Sequence, residues 1–174
     1  MADLTVSIQE SITLPNRNEV KTVNEKVISG VNQITHRLDT ISTAFEDTGI
    51  EILKFVDSEE QQTAGSFVRD TVKYIRITNL DENNYCSIYL IQDSPNAQSP
   101  NTDNLGSGDN GIFKLDPGKS IVLANGQFDS NNYYDYTVEG YVDEQYFGSF
   151  SSLSLIKAKA DTADVQIEYF VASS

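Results

Sequence analysis

The chain has 174 residues, and its 12 lysines and arginines stand against 26 aspartates and glutamates, so the formal net charge is −14. This length fits one domain, or one domain with an extended arm, and leaves little room for a second catalytic domain. A charge this negative repels phosphate backbones and anionic lipid surfaces. Composition therefore disfavours both nucleic acid and membranes as partners.

The first segment alternates apolar and polar side chains. Leu4, Val6 and Ile8 are each separated by one polar residue, a period of two that predicts a half-buried strand, and Pro15 ends the pattern. We predict an N-terminal strand or arm over residues 1–18 and a β-sandwich domain over 19–174. Two interpretations stay open: the arm pairs with a neighbouring subunit's sheet edge, or it is an ordinary strand of its own sandwich.

Residues 19–45 carry two conflicting signals. Their apolar residues are spaced three and four apart, as in an amphipathic helix or short coiled coil that would serve as an oligomerising stalk. The segment is nevertheless rich in Val, Thr and Ile, which favour strands. We predict strands near Lys21–Ile28 and Leu38–Thr43, a turn at Ser29–Gly30 and one helical turn at Val31–Ile34, with the full helix as the alternative.

The rest of the chain reads as short strands separated by polar turns. The stretch IRITNLDENNYCSIYLIQ, residues 75–92, predicts a β-hairpin with Cys86, Ile88 and Leu90 as the inward row of its second strand. In the turn DPGK, Pro117 presets the backbone and Gly118 is free to take positive φ. Further strands are predicted at 50–56, 112–115, 120–124, 152–158 and 164–171. Strands at these intervals, without alternating helices, predict an all-β antiparallel sandwich or jelly-roll-like domain.

Signals for enzymatic chemistry are sparse. His36 is the single histidine, so a catalytic triad or a multi-histidine zinc site would have to be built around this one residue. The single cysteine, Cys86, falls inside an apolar strand pattern, which favours a small buried side chain over a reactive thiol. We therefore expect neither a catalytic residue nor a bound cofactor, and a hydrolase using paired carboxylates is the weakest of the hypotheses.

Two loop regions hold the remaining candidate residues. Asn101, Asp103 and Asp109 offer oxygen ligands on a glycine-containing loop, a weak signal for Ca²⁺ because the spacing does not match a calcium-binding EF-hand loop. Tyrosine combines apolar area with one polar tip and is common at protein contacts and sugar-stacking surfaces. The predicted interface residues are Leu4, Val6, Ile8, Tyr133, Tyr134, Tyr136, Tyr141, Tyr146 and Phe147.

Several phrases of this sequence resemble a protein family. VKYIRITNLDENNYCSIYL, FKLDPGKSIVLAN and IKAKADTADVQIEYFVAS, together with LTVSIQESITL and VNQITHRLDTIS, resemble small virion structural proteins of marine tailed phages, those of cyanobacteria and other pelagic hosts. The likeness covers nearly the whole chain, but its phrases are strand-forming and have no catalytic content. They therefore identify a scaffold better than a position in the particle.

The resemblance implies a non-enzymatic virion protein, assembled in the host cytoplasm and present in many copies. A capsid decoration or cement protein is the first hypothesis, with copies of itself and other virion proteins, such as the major capsid protein, as partners. Such proteins are frequently homo-oligomers. A neck, tail or fibre-associated protein is the alternative within the virion, and a carbohydrate-binding module for host attachment is the alternative of a different class.

Overall fold

The computed structural model describes residues 2–12, 20–45, 49–92, 110–124 and 153–174. Within these ranges the helical segments are three 3₁₀ turns, at Thr43–Phe45, Glu59–Gln61 and Arg69–Thr71. No helix in the described ranges is long and apolar enough to cross a membrane. The strands of the described ranges are β1 (Ala2–Ile12), β2 (Val20–Val31), β3 (Gln33–Ile41), β4 (Ile50–Val56), β5 (Ser66–Val68), β6 (Val72–Asn79), β7 (Cys86–Gln92), β8 (Asn110–Leu115), β9 (Ser120–Ala124), β10 (Leu153–Ala160) and β11 (Val165–Ser173).

Two sheets form a jelly roll. One sheet has the strand order β3-β11-β6-β9, and the other has the order β5-β4-β10-β7-β8. Leaving aside the three-residue β5, which adds in parallel to β4, the other eight strands follow the order of two nested Greek keys. Successive strands change sheets at every step except from β7 to β8, which pair within one sheet. All other strand pairs are antiparallel. The predicted all-β antiparallel sandwich is therefore confirmed.

The core lies between the inward rows of the two sheets. On β6 the alternation places Ile75 and Ile77 inward, and on β10 it places Ile156 and Ala158 inward; all four are completely buried. Cys86 belongs to the same core, which confirms that it is a small buried side chain. Because every central strand is apolar on its inward face, the two sheets bury each other's apolar rows.

The predicted hairpin over residues 75–92 is wrong in its connection, although both of its strands exist. β6 pairs with β11 and β9, whereas β7 pairs with β10 and β8, so the chain crosses from one sheet to the other between them. The strands before and after the predicted turn at 116–119, β8 and β9, likewise belong to different sheets. Gly118 takes positive φ there, as predicted. A polar turn between two alternating runs looks the same whether the strands pair or face each other across a core.

A buried asparagine stabilises the crossover after β6. The Asn79 side chain is completely buried, donates from Nδ2 to the carbonyl oxygens of Asn84 (2.9 Å) and Leu115 (3.0 Å), and accepts from the Asp81 N–H through Oδ1. Asp81 in turn accepts from the backbone N–H groups of Asn83 and Asn84, and these two bonds are the main reason that the pKa of Asp81 is lowered. Asn79 therefore links the crossover to the end of β8.

Residues 20–41 are two strands, so the helix and the helical turn at Val31–Ile34 are both wrong. The predicted turn at Ser29–Gly30 is instead a bulge: Ala2 faces Val31 and Leu4 faces Ile28, which leaves one extra residue on β2, and Gly30 has a φ of 75°. A spacing of four is also two strand periods, so pairs such as Val23 and Val27 lie on one face of a strand. The high Val, Ile and Thr content decided between the two periods.

Replacing Asn79 with Ala should lower the free energy of unfolding by about 3 kcal/mol, because two carbonyls and one N–H lose a buried partner. Urea unfolding followed by circular dichroism measures the loss. Asn83→Ala, at an exposed position of the same crossover, is the control and should change stability little. Equal stability of the Asn79 variant and the parent would contradict the role assigned to this side chain.

Burial raises the pKa of the Cys86 thiol to about 11, so the native protein should react very slowly with a thiol reagent at pH 8. When guanidinium chloride unfolds the protein, the same thiol should react as fast as the thiol of free cysteine. Absorbance with a disulfide reagent measures both rates. Fast reaction of the native protein would show that the core around β7 opens readily.

Candidate functional site

The N-terminal strand forms a two-stranded ribbon with β2, outside the two sheets of the jelly roll. The pairing is antiparallel and runs from Ala2 opposite Val31 to Ile12 opposite Val20. We call these two strands the ribbon. One face of it carries the alternating apolar residues predicted from the sequence, and the other carries polar residues together with the exposed Val23 and Val27.

The base of the ribbon packs on the outer face of the four-stranded sheet. This contact, the outer cluster, combines buried residues of β2 with residues of β6, β9 and β11, and Leu4 and Val6 of β1 are partly buried against it. Its buried members are Ile28, Val31, Tyr74, Ala124 and Ala172, and its other partly buried members are Val122 and Phe170. The Gly30 bulge places Ile28 and Val31 on the same face, so both reach the sheet.

The apolar stripe of β1 is longer than the surface that covers it. Leu4 and Val6 contact the outer cluster, whereas Ile8, the next residue on the same face, is 46% exposed. Of the predicted interface residues, these three are the ones that the structure describes. They divide into two residues that attach the ribbon to its own sheet and one that projects beyond it.

The other predicted site residues lie outside the described ranges. These are the weak Ca²⁺ candidates Asn101, Asp103 and Asp109, and the aromatic set Tyr133, Tyr134, Tyr136, Tyr141, Tyr146 and Phe147. The hypotheses of a calcium site and of a tyrosine-rich contact or glycan surface stay predictions. Among the described residues, no three histidine, cysteine, aspartate or glutamate side chains come together as a metal-ligand group.

A charged triplet lies on the outer face of the four-stranded sheet, on three adjacent strands. His36 Nε2 is 2.8 Å from Glu168 Oε1, and Arg76 Nη2 donates to Glu168 Oε2 at 2.6 Å. The Phe170 ring lies beside both the His36 ring and the Arg76 guanidinium, with the guanidinium carbon 5.9 Å from the Phe170 centroid. The hydrogen bond from His36, followed by the charge of Arg76, lowers the pKa of Glu168.

This triplet joins parts of the chain that are distant in sequence, and nothing in the sequence predicted it. His36 and Glu168 are brought together because Phe170, two residues after Glu168, pairs with His36 across β11 and β3. Within the described ranges, the side-chain partner of His36 is a carboxylate, not a hydroxyl or thiol. The triplet therefore has the geometry of a surface ion-pair network and not that of a nucleophile with its base.

A polar cleft of about 310 Å³ lies between the edge strand β3 and the β4–β5 edge of the other sheet. Arg37, Asp39, Glu51 and Lys54 contribute two positive and two negative charges, and buried Tyr169 also lines it. Burial, with a hydrogen bond to Asp39, raises the pKa of Tyr169. Small-molecule sites are mostly apolar with a few polar groups, so this cleft is a poor match for one.

Comparisons with known proteins leave the family open. No family model matches the chain, and no curated protein matches it. Among solved structures, the crystal structure of the decameric BFDV capsid protein is 11% identical, with 99% of this chain and 95% of that chain covered, at a TM-score of 0.23. A score this low is typical of unrelated chains, so the likeness decides neither fold nor function.

Replacing Glu168 with Gln should destabilise the protein at neutral pH and progressively less in acid. Because the folded pKa of Glu168 is lowered, its ionised form adds stability above the unfolded pKa of about 4.5, and this stability disappears as pH falls through the folded pKa. Urea unfolding at pH 7, 5 and 3 measures the gap between variant and parent. Glu60→Gln, at an exposed turn, is the control; a gap independent of pH would contradict the ion-pair role.

Proposed function

We propose that this chain is a non-enzymatic structural protein of a phage particle, and that it bridges neighbouring subunits through its ribbon. The observation that carries the proposal is the uncovered end of the ribbon. There the exposed Ile8 lies on β1, whose edge facing away from β2 pairs with no other strand in the described ranges. Exposed apolar side chains beside an open edge are typical of strand-addition contacts between proteins.

Three further observations support this proposal. The jelly roll has a core of its own, so the ribbon is not needed to complete either sheet and is available for contacts. The net charge of −14 disfavours contact with packaged DNA and keeps the protein soluble at high local concentration. The sequence phrases that resemble virion proteins of marine tailed phages include those of β1, β6–β7 and β10–β11.

At the finer level we propose a capsid decoration or cement protein, attached to the major capsid protein of the shell. A neck, tail or fibre protein would use the same ribbon but would be present in far fewer copies. Quantitative mass spectrometry of purified particles separates the two positions. A copy number comparable with that of the shell subunit supports decoration, one comparable with a neck or baseplate ring supports the alternative, and absence from particles overturns the proposed function.

The role of the ribbon is tested by two matched substitutions on its opposite faces. Ile8→Lys places a charge on the uncovered apolar stripe and should reduce incorporation into particles several-fold, because burying an unpaired ammonium is costly. Val23→Lys introduces the same charge at a valine that is also exposed, on the other face, and should leave incorporation near the parental level. Particles produced with each variant supplied in trans, then purified and quantified, give the comparison.

Incorporation of both lysine variants at the parental level, or equal loss of both with parental circular dichroism spectra, would contradict bridging through the apolar face of the ribbon. Loss with both variants together with altered spectra would point to a general folding defect, which circular dichroism of the purified proteins detects. The expected pattern is loss with the first variant only, while both variants keep the parental spectrum.

A further inference from the structure

We infer that two copies of this chain associate by antiparallel pairing of their β1 strands about a two-fold axis at Ser7. The two ribbons then form one four-stranded sheet in which β1 of each copy is central and β2 is outermost. The inference rests on the proposed function, because it names the first partner of the same ribbon as a second copy of this chain. It is carried by the strand edges, the apolar stripe and the positions of the charges.

The two edges of the ribbon differ in how well they are protected against further pairing. β2 carries Lys21 and Lys26 and is interrupted by the bulge at Gly30, and lysines and bulges are devices by which proteins block strand addition. β1 is an eleven-residue strand without lysine, proline or glycine. Its edge is therefore the one open to a partner, and full overlap with a second β1 would add about ten backbone hydrogen bonds.

The register about Ser7 is the one that uses the whole strand, because Ala2–Ile12 is centred on that residue. It places Val6 opposite Ile8 of the second copy, and Ile8 opposite Val6 of the second copy. Each Ile8, uncovered on its own subunit, then lies beside an apolar side chain that is already packed on the other subunit's outer cluster. The two apolar stripes join into one face, as expected for a self-complementary two-fold contact.

The charges of β1 are compatible with this register. Its acidic residues are Asp3 and Glu10, which pair with Ser11 and Leu4 of the second copy, so no two carboxylates face each other. Repulsion comes instead from the net charge of −14 that each copy carries. Salt screens such repulsion between exposed charges, so the dimer should become tighter as ionic strength rises.

A pair of cysteine substitutions tests the register. Two Ser7→Cys residues would lie directly opposite, with Cα atoms about 5 Å apart, inside the range that a disulfide needs. Two Gln9→Cys residues would be four positions apart along the strands, about 14 Å, which is too far. Both positions are exposed on the same face of the ribbon, and buried Cys86 is common to both variants.

The purified full chain is oxidised and run on a non-reducing gel, and the parent is sedimented at low and high salt. Ser7→Cys should form covalent dimer roughly tenfold faster than Gln9→Cys, and the parent should sediment at about twice 19.3 kDa, more completely at high salt. A monomer at every salt concentration overturns the inference, and so do equal cross-linking rates. Either result leaves the proposed function standing, since particle incorporation is measured separately.

Discussion

Mutual burial of two apolar sheet faces is the interaction on which the rest of this structure depends. Ile75 and Ile77 from one sheet and Ile88 and Ile156 from the other are completely inaccessible to solvent. Their burial supplies the main favourable free energy of the jelly roll, since water is excluded from both inward rows at once. Because side chains alternate along each strand, this burial also determines which residues lie on the outer faces of the two sheets.

The ribbon is the clearest product of that arrangement. A two-stranded ribbon is marginally stable in water when it stands alone. Here the outer face of the four-stranded sheet offers Tyr74, Ala124 and Ala172, on which Ile28 and Val31 pack, and the ribbon gains a second contact besides its own hydrogen bonds. The attachment covers only the base, so Ile8, the next apolar residue of β1 after Val6, is left uncovered. Attachment at one end and exposure at the other make this element suited to reaching a neighbour.

The outer face of the four-stranded sheet also holds the His36–Glu168–Arg76 triplet. In a protein with a net charge of −14, Glu168 lies between the cationic Arg76 and the ring of His36, on the central strand of its sheet. Surface ion pairs contribute little to stability on average. The Glu168 carboxylate is only 21% exposed and bonds both His36 and Arg76, so we expect it to contribute more to stability than a typical surface pair. Ile34 and Leu38 flank His36 on β3 and are both exposed, so the triplet lies within a partly apolar surface.

Most of the strands, and the all-β class, followed from residue order alone, because a period of two marks which side chains turn inward wherever a strand forms. Burial of Cys86 and positive φ at Gly118 followed in the same way, from an apolar row and from a Pro-Gly turn. The exposure of Ile8 was predictable only in part, because the sequence shows the apolar stripe of β1 but not the point at which the sheet beneath stops covering it. Alternation predicts which face of a strand is apolar, but it does not predict which other surface packs against that face.

Tertiary structure alone decided which strands are neighbours. β6 and β7 are predicted to pair as a hairpin but lie in different sheets, because their apolar rows are buried when the two sheets pack face to face. Long-range pairing also assembles the His36–Glu168–Arg76 triplet and the polar cleft from strands that are far apart in the chain. The local sequence pattern predicts which side chains are buried. Which strands pair, and which side chains come into contact, depends on the packing of the whole chain.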